Sequence, residues 1–255
     1  MAGLLNKISA MATELMGKPV DPDEGLRTAV IAGDLAAAQK YIRAGADVAP
    51  TSTKEKMAPL YLAAVKNDLP MVNILLTLGA NPDCGLAGEP EGTGLTQACH
   101  KGYADVAKAL LDHGASINLK EYSRTPLHEA INNGHDVIAR DLMGRGADMT
   151  LFDRSGYPPM QVAIIKGNKP LVMSMIETGA DVHIENNAGL SMFDLLRAED
   201  GWTAAVEAVK LREANAEKAS RDAVQDAADF HSDIATIATL KRNVVPMRTV
   251  QFKRA

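Results

Sequence analysis

Aromatic residues make up only 4% of this 255-residue chain, with a single tryptophan, and cysteine is limited to Cys84 and Cys99. Few aromatics and an apolar content carried by Ala, Leu and Met favour helices over sheets. Two cysteines cannot supply the three or four ligands of a zinc site, and a chain this long folds on a hydrophobic core without a disulfide. Both are therefore read as reduced thiols, which places the chain in a cytoplasmic setting. No stretch approaches the ~20 consecutive apolar residues of a membrane helix. Asn6, Lys7, Ser9, Thr13 and Glu14 interrupt the N-terminal segment before a signal-type apolar region can form, so neither a membrane span nor a secretory signal is expected.

An overall basic field is lacking too. Lys and Arg number 27 against 32 Asp and Glu, a net charge of -5 that recruits neither nucleic acid nor anionic lipid. The charge is unevenly spread: residues 241–255 hold Lys241, Arg242, Arg248, Lys253 and Arg254 and no acid, so this end is +5 and the remainder -10.

What is present is a repeat. Gly-Ala recurs at Gly45-Ala46, Gly79-Ala80, Gly114-Ala115, Gly146-Ala147 and Gly179-Ala180, at intervals of 34, 35, 32 and 33 residues. Twelve residues before each glycine stands Gly33, Asn67, Gly102, Gly134 or Gly167, and the apolar pairs between, such as Leu75-Leu76 and Leu110-Leu111, describe one helix between two turns. Upstream lie sets spaced i, i+3, i+4: Leu60, Ala63, Ala64; Leu95, Ala98, Cys99; Leu127, Ala130, Ile131; Met160, Ala163, Ile164. That spacing gives the buried face of a shorter first helix, with small residues that let neighbouring helices approach closely. The trailing glycine suits a left-handed cap.

Thr125-Pro126-Leu127-His128-Glu129-Ala130 and Gly134-His135 resemble the signature and inter-helix turn of the ankyrin repeat family. The resemblance covers residues 24–200 as five repeats, with Gly189 to Leu196 looking like the first helix of a sixth. It implies an all-α solenoid of stacked helix pairs, because one pair alone cannot bury both of its apolar faces. Repeat one, with Leu26 to Val30, and repeat three, with Gly94 to Ala98, depart from the Thr-Pro-Leu-His pattern. Capping is expected from an amphipathic helix over residues 1–17, with Leu4, Ile8, Met11 and Leu15 on one face, and from Trp202, Val206 and Val209 at the other end. Residues 201–229 read as a capping and then solvated helix with Glu217–Arg221 and Lys218–Asp222 pairs. Residues 230–255 read as a basic tail in which Phe230, Ile234, Ile237 and Leu240 recur at helical spacing, and Val250, Gln251, Phe252 and Lys253 alternate as in a strand. A mobile end, a segment folded back on the acidic repeats and a partner contact through Arg248, Val250, Phe252, Lys253 and Arg254 all remain open for it.

Catalytic chemistry finds little purchase. The six histidines fall at unrelated repeat positions and form no ligand cluster, so no metal or cofactor is expected. For His128 the resemblance implies a hydrogen bond that supports the turn, and His135 belongs to the inter-helix turn, which leaves His100 as the exposed candidate. Cys99 takes a buried position and points about 100° away from His100 around the helix, a poor nucleophile and base pair. Gly92-Thr93-Gly94 follows no strand and carries no phosphate-loop lysine.

The resemblance instead places partner contacts at the turn tips and at the last two residues of each first helix: Val65-Lys66, His100-Lys101, Asn132-Asn133 and Ile165-Lys166. Tip positions add Tyr122, Arg124, Arg154 and Tyr157. The expectation is a non-enzymatic adaptor or regulator that binds an acidic segment of another protein, with a secreted bacterial effector as the alternative.

Overall fold

The computed structural model describes residues 21–49, 57–85, 92–119, 124–198 and 201–243, with side chains as far as Gln225. The chain divides into two compact units, Met1–Ala205 and Val206–Ala255. The expected helix over 1–17, Tyr122 and the tail residues Arg248 to Arg254 lie outside the described residues.

The first unit is a run of antiparallel helix pairs. Repeat one contains α1 (Pro22–Ala32) and α2 (Leu35–Arg43), and repeat two α3 (Pro59–Val65) and α4 (Leu69–Thr77). Repeat three follows with α5 (Gly94–Lys101) and α6 (Ala104–Asp112), and repeat four with α7 (Pro126–Asn132) and α8 (Asp136–Gly144). Repeat five has α9 (Pro159–Ile165) and α10 (Lys169–Glu177), and α11 (Met192–Ala198) opens the sixth. The odd-numbered helices α1 to α11 pack side by side as an inner row, and α4, α6, α8 and α10 as an outer one.

Local chemistry starts these helices where the repeat register puts them. Asp34, Asp68, Thr93, Thr125 and Asn168 each accept a backbone N–H of the first turn through the side-chain oxygen. Thr93 caps α5 as Thr125 caps α7, so repeat three keeps the threonine of the signature although its proline is replaced by Gly94. The Gly-Ala glycines all have φ between 86° and 95°, as the left-handed cap requires. Asn67 takes φ 60° where the other inter-helix turns use glycine, and asparagine is the side chain that best tolerates this region.

The inner-helix triads are the core. Leu60, Leu95, Leu127 and Met160, with the alanines, Cys99 and isoleucines that follow them, are at most 2% exposed, and Leu26, Ala29 and Val30 occupy the same places in repeat one. Each fully buried leucine contributes about 2 kcal/mol. At the far end Met192 and Leu196 of α11 are buried, and Trp202 is buried with the Lys169 ammonium 5.8 Å from its ring centroid.

The last helix, α12 (Thr203–Asn243), runs 41 residues without a break through the expected boundary at 229/230. In the second unit Val206 is half-buried, Val209 is buried, and every residue from Ala214 to Gln225 is exposed. Glu217 and Arg221 pair at 2.9 Å, whereas the expected Lys218–Asp222 pair does not form. A fully solvated pair gains too little to hold two long side chains in one geometry.

Successive repeats are also tied through a glycine. His135 donates from Nε2 to the His100 carbonyl at 3.0 Å, which lays its ring over Gly102 so closely that a Cβ there would sit 2.5 Å from His135 Cε1. Gly134, with nearly the same φ, has nothing within 4 Å of such a Cβ. Gly134→Ala is expected to cost about 1 kcal/mol, the backbone penalty alone, and Gly102→Ala a further ~1–3 kcal/mol of overpacking. Urea unfolding of the two variants checks the difference; equal midpoints would remove the His135 contact from the account.

Candidate functional site

His128 shows how the turn tips are positioned. It is fully buried; Nδ1 accepts from the Thr125 hydroxyl at 2.8 Å and from the Thr125 N–H at 3.4 Å, which leaves Nε2 to donate to the Tyr157 carbonyl of the next repeat at 3.0 Å. The hydrogen bond implied for this histidine is present, and it couples two repeats as well as one turn. Between neighbouring tips, Asp83 accepts from the Ser116 N–H at 2.7 Å and Asn118 from the Asp148 N–H at 2.8 Å.

On the inner face the expected row of cations is not a bare one. Lys66 donates to the Ile31 carbonyl. Glu129, with a side chain 14% exposed, receives His100 Nδ1 at 3.0 Å and Arg124 Nη1 at 3.5 Å, while the Asn133 amide donates to its backbone carbonyl at 2.8 Å. Asp153, 5% exposed, accepts the Ser155 and Tyr157 N–H groups and has Arg124 Nε at 3.9 Å. Carboxylates thus stand beneath cations that the repeat register shows alone, and sequence reasoning missed both. Asp153-Arg154-Ser155 carried a signal, an Asp followed two residues later by a turn N–H.

Arg124 separates two recesses. One, of about 390 Å³, is lined by Val65, Gln97, His100, Lys101, Arg124 and Glu129. The other, of about 220 Å³, is lined by Arg124, Asn132, Asp153, Tyr157, Ile165 and Lys166. Of the expected contact residues, these two recesses gather Val65, His100, Lys101, Arg124, Asn132, Tyr157, Ile165 and Lys166. Lys101 and Lys166 are exposed, and their ammonium groups have no hydrogen-bond or ion-pair partner among the described residues. Arg154 is exposed outside both recesses, and the Asn133 amide is spent on the Glu129 carbonyl and carboxylate.

The first recess joins a histidine to a carboxylate, beside the hydroxyl of Thr96 and close in sequence to Cys99. Thr96 is buried with its hydroxyl 3.1 Å from that of Thr93, and Cys99 is fully buried, which pushes its thiol far above the ordinary range. Burial raises the Cys84 thiol to about 11. Among the described residues no group of three or more His, Cys, Asp or Glu is placed to hold a metal. His100 is not alone in being exposed, since His113 and His183, at helix ends and tips where the apolar pattern is silent, are exposed as well. Another cleft, about 390 Å³ between α2 and α4, is lined by Ile42, Ile74 and Leu78 with Arg43 as its one charged group.

A stack of short helix pairs joined by turns defines a helical-repeat protein. The sequence profile described as Ankyrin repeats (3 copies) matches residues 26–120 and 60–153, and the chain belongs to the ankyrin repeat family. It is 33% identical over 153 residues to the ankyrin repeat protein YahD of Escherichia coli (strain K12), covering 57% of this chain and 74% of that one. It is 29% identical over 192 residues to the B-cell lymphoma 3 protein homolog of Mus musculus, covering 71% of this chain and 42% of the mouse protein. Over 85 residues it is 40% identical to the potassium channel SKOR of Arabidopsis thaliana, a third of this chain and 10% of the channel. Ankyrin repeats are protein–protein interaction modules, in general without enzymatic activity. Among the described residues no helix is long and apolar enough to cross a membrane.

Two measurements follow from the buried groups. His128→Ala removes a buried side chain and leaves the Tyr157 carbonyl unpaired, so stability should fall by about 2–4 kcal/mol in urea unfolding. For Cys84 the fold favours the protonated thiol, so its contribution is intact below the ordinary value of 9.0 and is lost as pH rises through about 11. Iodoacetamide at pH 8 should therefore alkylate Cys84 about a hundredfold more slowly than a free thiol and leave Cys99 untouched until urea is added. Rapid native labelling of Cys99 would place it outside the core.

Proposed function

We propose that the chain is a cytoplasmic, non-enzymatic adaptor or regulator that docks a partner protein on its inner face and turn tips, with residues 24–200 as the recognition unit. The observation that carries this reading is the pair of recesses on either side of Arg124, each with an unpartnered lysine at its edge. Because stacking consumes both flanks of every inner helix, the helix ends and tips are what a partner can reach. Charge favours an acidic segment of that partner, and exposed lysines act mainly on its encounter rate. Residues 1–17 and the start of 201–229 serve as caps in this reading, the rest of 201–229 is a solvated helix, and the basic tail of 230–255 supplies a second contact that raises avidity. Nucleic acid is a poor occupant, since a net acidic body lacks the dense cationic track that phosphate backbones require. A second reading, delivery into host cells as a bacterial effector, draws on the basic apolar tail as an export signal; a translocation assay with and without residues 241–255 separates it from a resident adaptor.

The variant Lys101→Glu/Lys166→Glu tests the docking face, because neither lysine holds the fold together. Its melting temperature should match the parent within a few degrees, while proteins captured by the parent from native lysate are lost or retained at least about tenfold more weakly. An unaltered set of captured proteins would discard the inner face. Truncation after Leu240 should weaken the same association, and unchanged affinity would remove the tail from it.

A further inference from the structure

We infer that Arg124 is the anchor of this face and receives one carboxylate, carried by an extended partner segment of about eight residues with apolar side chains on both sides of the acid. The inference rests on the docking reading above and gives the partner its chemistry.

Arg124 is the one residue that borders both recesses, and it is held from below. Nη1 reaches Glu129 Oε1 and Nε faces Asp153 Oδ2, while Nη2 has no partner among the described residues. A guanidinium with two largely buried carboxylates 3.5 and 3.9 Å away is biased toward one orientation and loses less freedom than a free one when a third acid approaches its open edge. The supporting acids are themselves occupied, Glu129 by His100 and Arg124, and Asp153 by the N–H groups of Ser155 and Tyr157. They orient the cation without closing its outer side.

Charge and spacing narrow the occupant. Arg124, Lys101 and Lys166 outnumber Glu129 and Asp153 by one, so a single negative charge balances the lining. A phosphate, at about -1.5 to -2, would overshoot and lie against two carboxylates. Apolar side chains mark the ends: Val65 is half-buried in the first recess, Ile165 is 58% exposed in the second, and Ile31, at the equivalent place in repeat one, is 50% exposed beyond Val65. From Val65 to Ile165 the register advances three repeats, roughly 24–30 Å at ~8–10 Å between neighbouring helices. An extended chain covers that span in about eight residues at ~3.3 Å each. The acid, opposite Arg124, then falls three or four residues from an apolar neighbour on either side.

The test uses the full chain and a phage-displayed library of random twelve-residue peptides, followed by fluorescence polarisation with the selected peptide. Selected peptides should carry Asp or Glu bounded by Leu, Ile, Val, Met or Phe within three or four residues on each side. Arg124→Gln should weaken the peptide by about tenfold or more, and changing the peptide's acid to its amide should cost the same. Combining the two changes should add nothing, the signature of a direct pair. Because Arg124→Gln also leaves Glu129 and Asp153 with less counter-charge, Arg124→Lys is the companion variant: it keeps the charge, removes the fork, and should still lose several-fold in affinity at an unchanged melting temperature. Selection of peptides without an acid, or full binding by both Arg124 variants, overturns the anchor, as does tighter binding when phosphoserine replaces the acid. If those variants bind normally while Lys101→Glu and Ile165→Ser do not, inner-face docking stands without this anchor. If none of the four substitutions changes peptide binding, the docking face itself falls.

Discussion

The burial of one small apolar triad against the next is the interaction on which this molecule depends. The inner helices, seven or eight residues long after the eleven of α1, are too short to hold their own hydrogen bonds in water. They persist because Leu60, Ala63 and Ala64 are covered on both flanks, as are Leu95, Ala98 and Cys99 one repeat later. Every such helix therefore needs a neighbour, and the chain supplies them at intervals of 32 to 35 residues. Stability accumulates by repetition, with no single large core.

The same constraint decides where function can reside. Residues that stack are fully committed, so Cys99, which has the most reactive side-chain type in the inner row, is chemically silent. What remains free is the rim of each repeat, where helices end and tips turn back. There the chain has placed polar groups that hold one another: His128 joins repeats four and five, Glu129 gathers His100 and Arg124, and Asp153 closes the next tip. Buried or half-buried polar groups of this kind must be satisfied, and satisfying them makes the rim rigid. A rigid, charged rim of this kind presents fixed hydrogen-bonding and ionic groups to whatever meets it.

Much of the fold was legible beforehand, and for definite reasons. The positive φ of the Gly-Ala glycines, the burial of the triads and the local cap at Thr125 each follow from chemistry that acts within a few residues. The site was legible only as a set of positions. Val65, His100, Lys101, Ile165 and Lys166 could be placed on one face by register alone, and the structure brings them to two adjoining recesses. Their electrostatic meaning could not be read that way. Lys66 looked free and is engaged with the Ile31 carbonyl 35 residues earlier, and Arg124 looked like one more surface cation and is held by two acids. Histidines were similarly misjudged: exposure at His113 and His183 depends on helix ends, where the apolar pattern is silent.

By itself, then, the sequence determined the repeat, its helices, its turns and the face left over once stacking is complete, because each of these is set by short-range backbone preference and the periodicity of apolar side chains. Only tertiary structure decided which charges on that face are paired and which are open. Glu129 meets His100, and Asp153 meets Arg124, each across 29 residues. Such meetings hinge on a few ångströms of helix placement, and Coulomb attraction and hydrogen bonding change over that distance far more steeply than any pattern along the chain records.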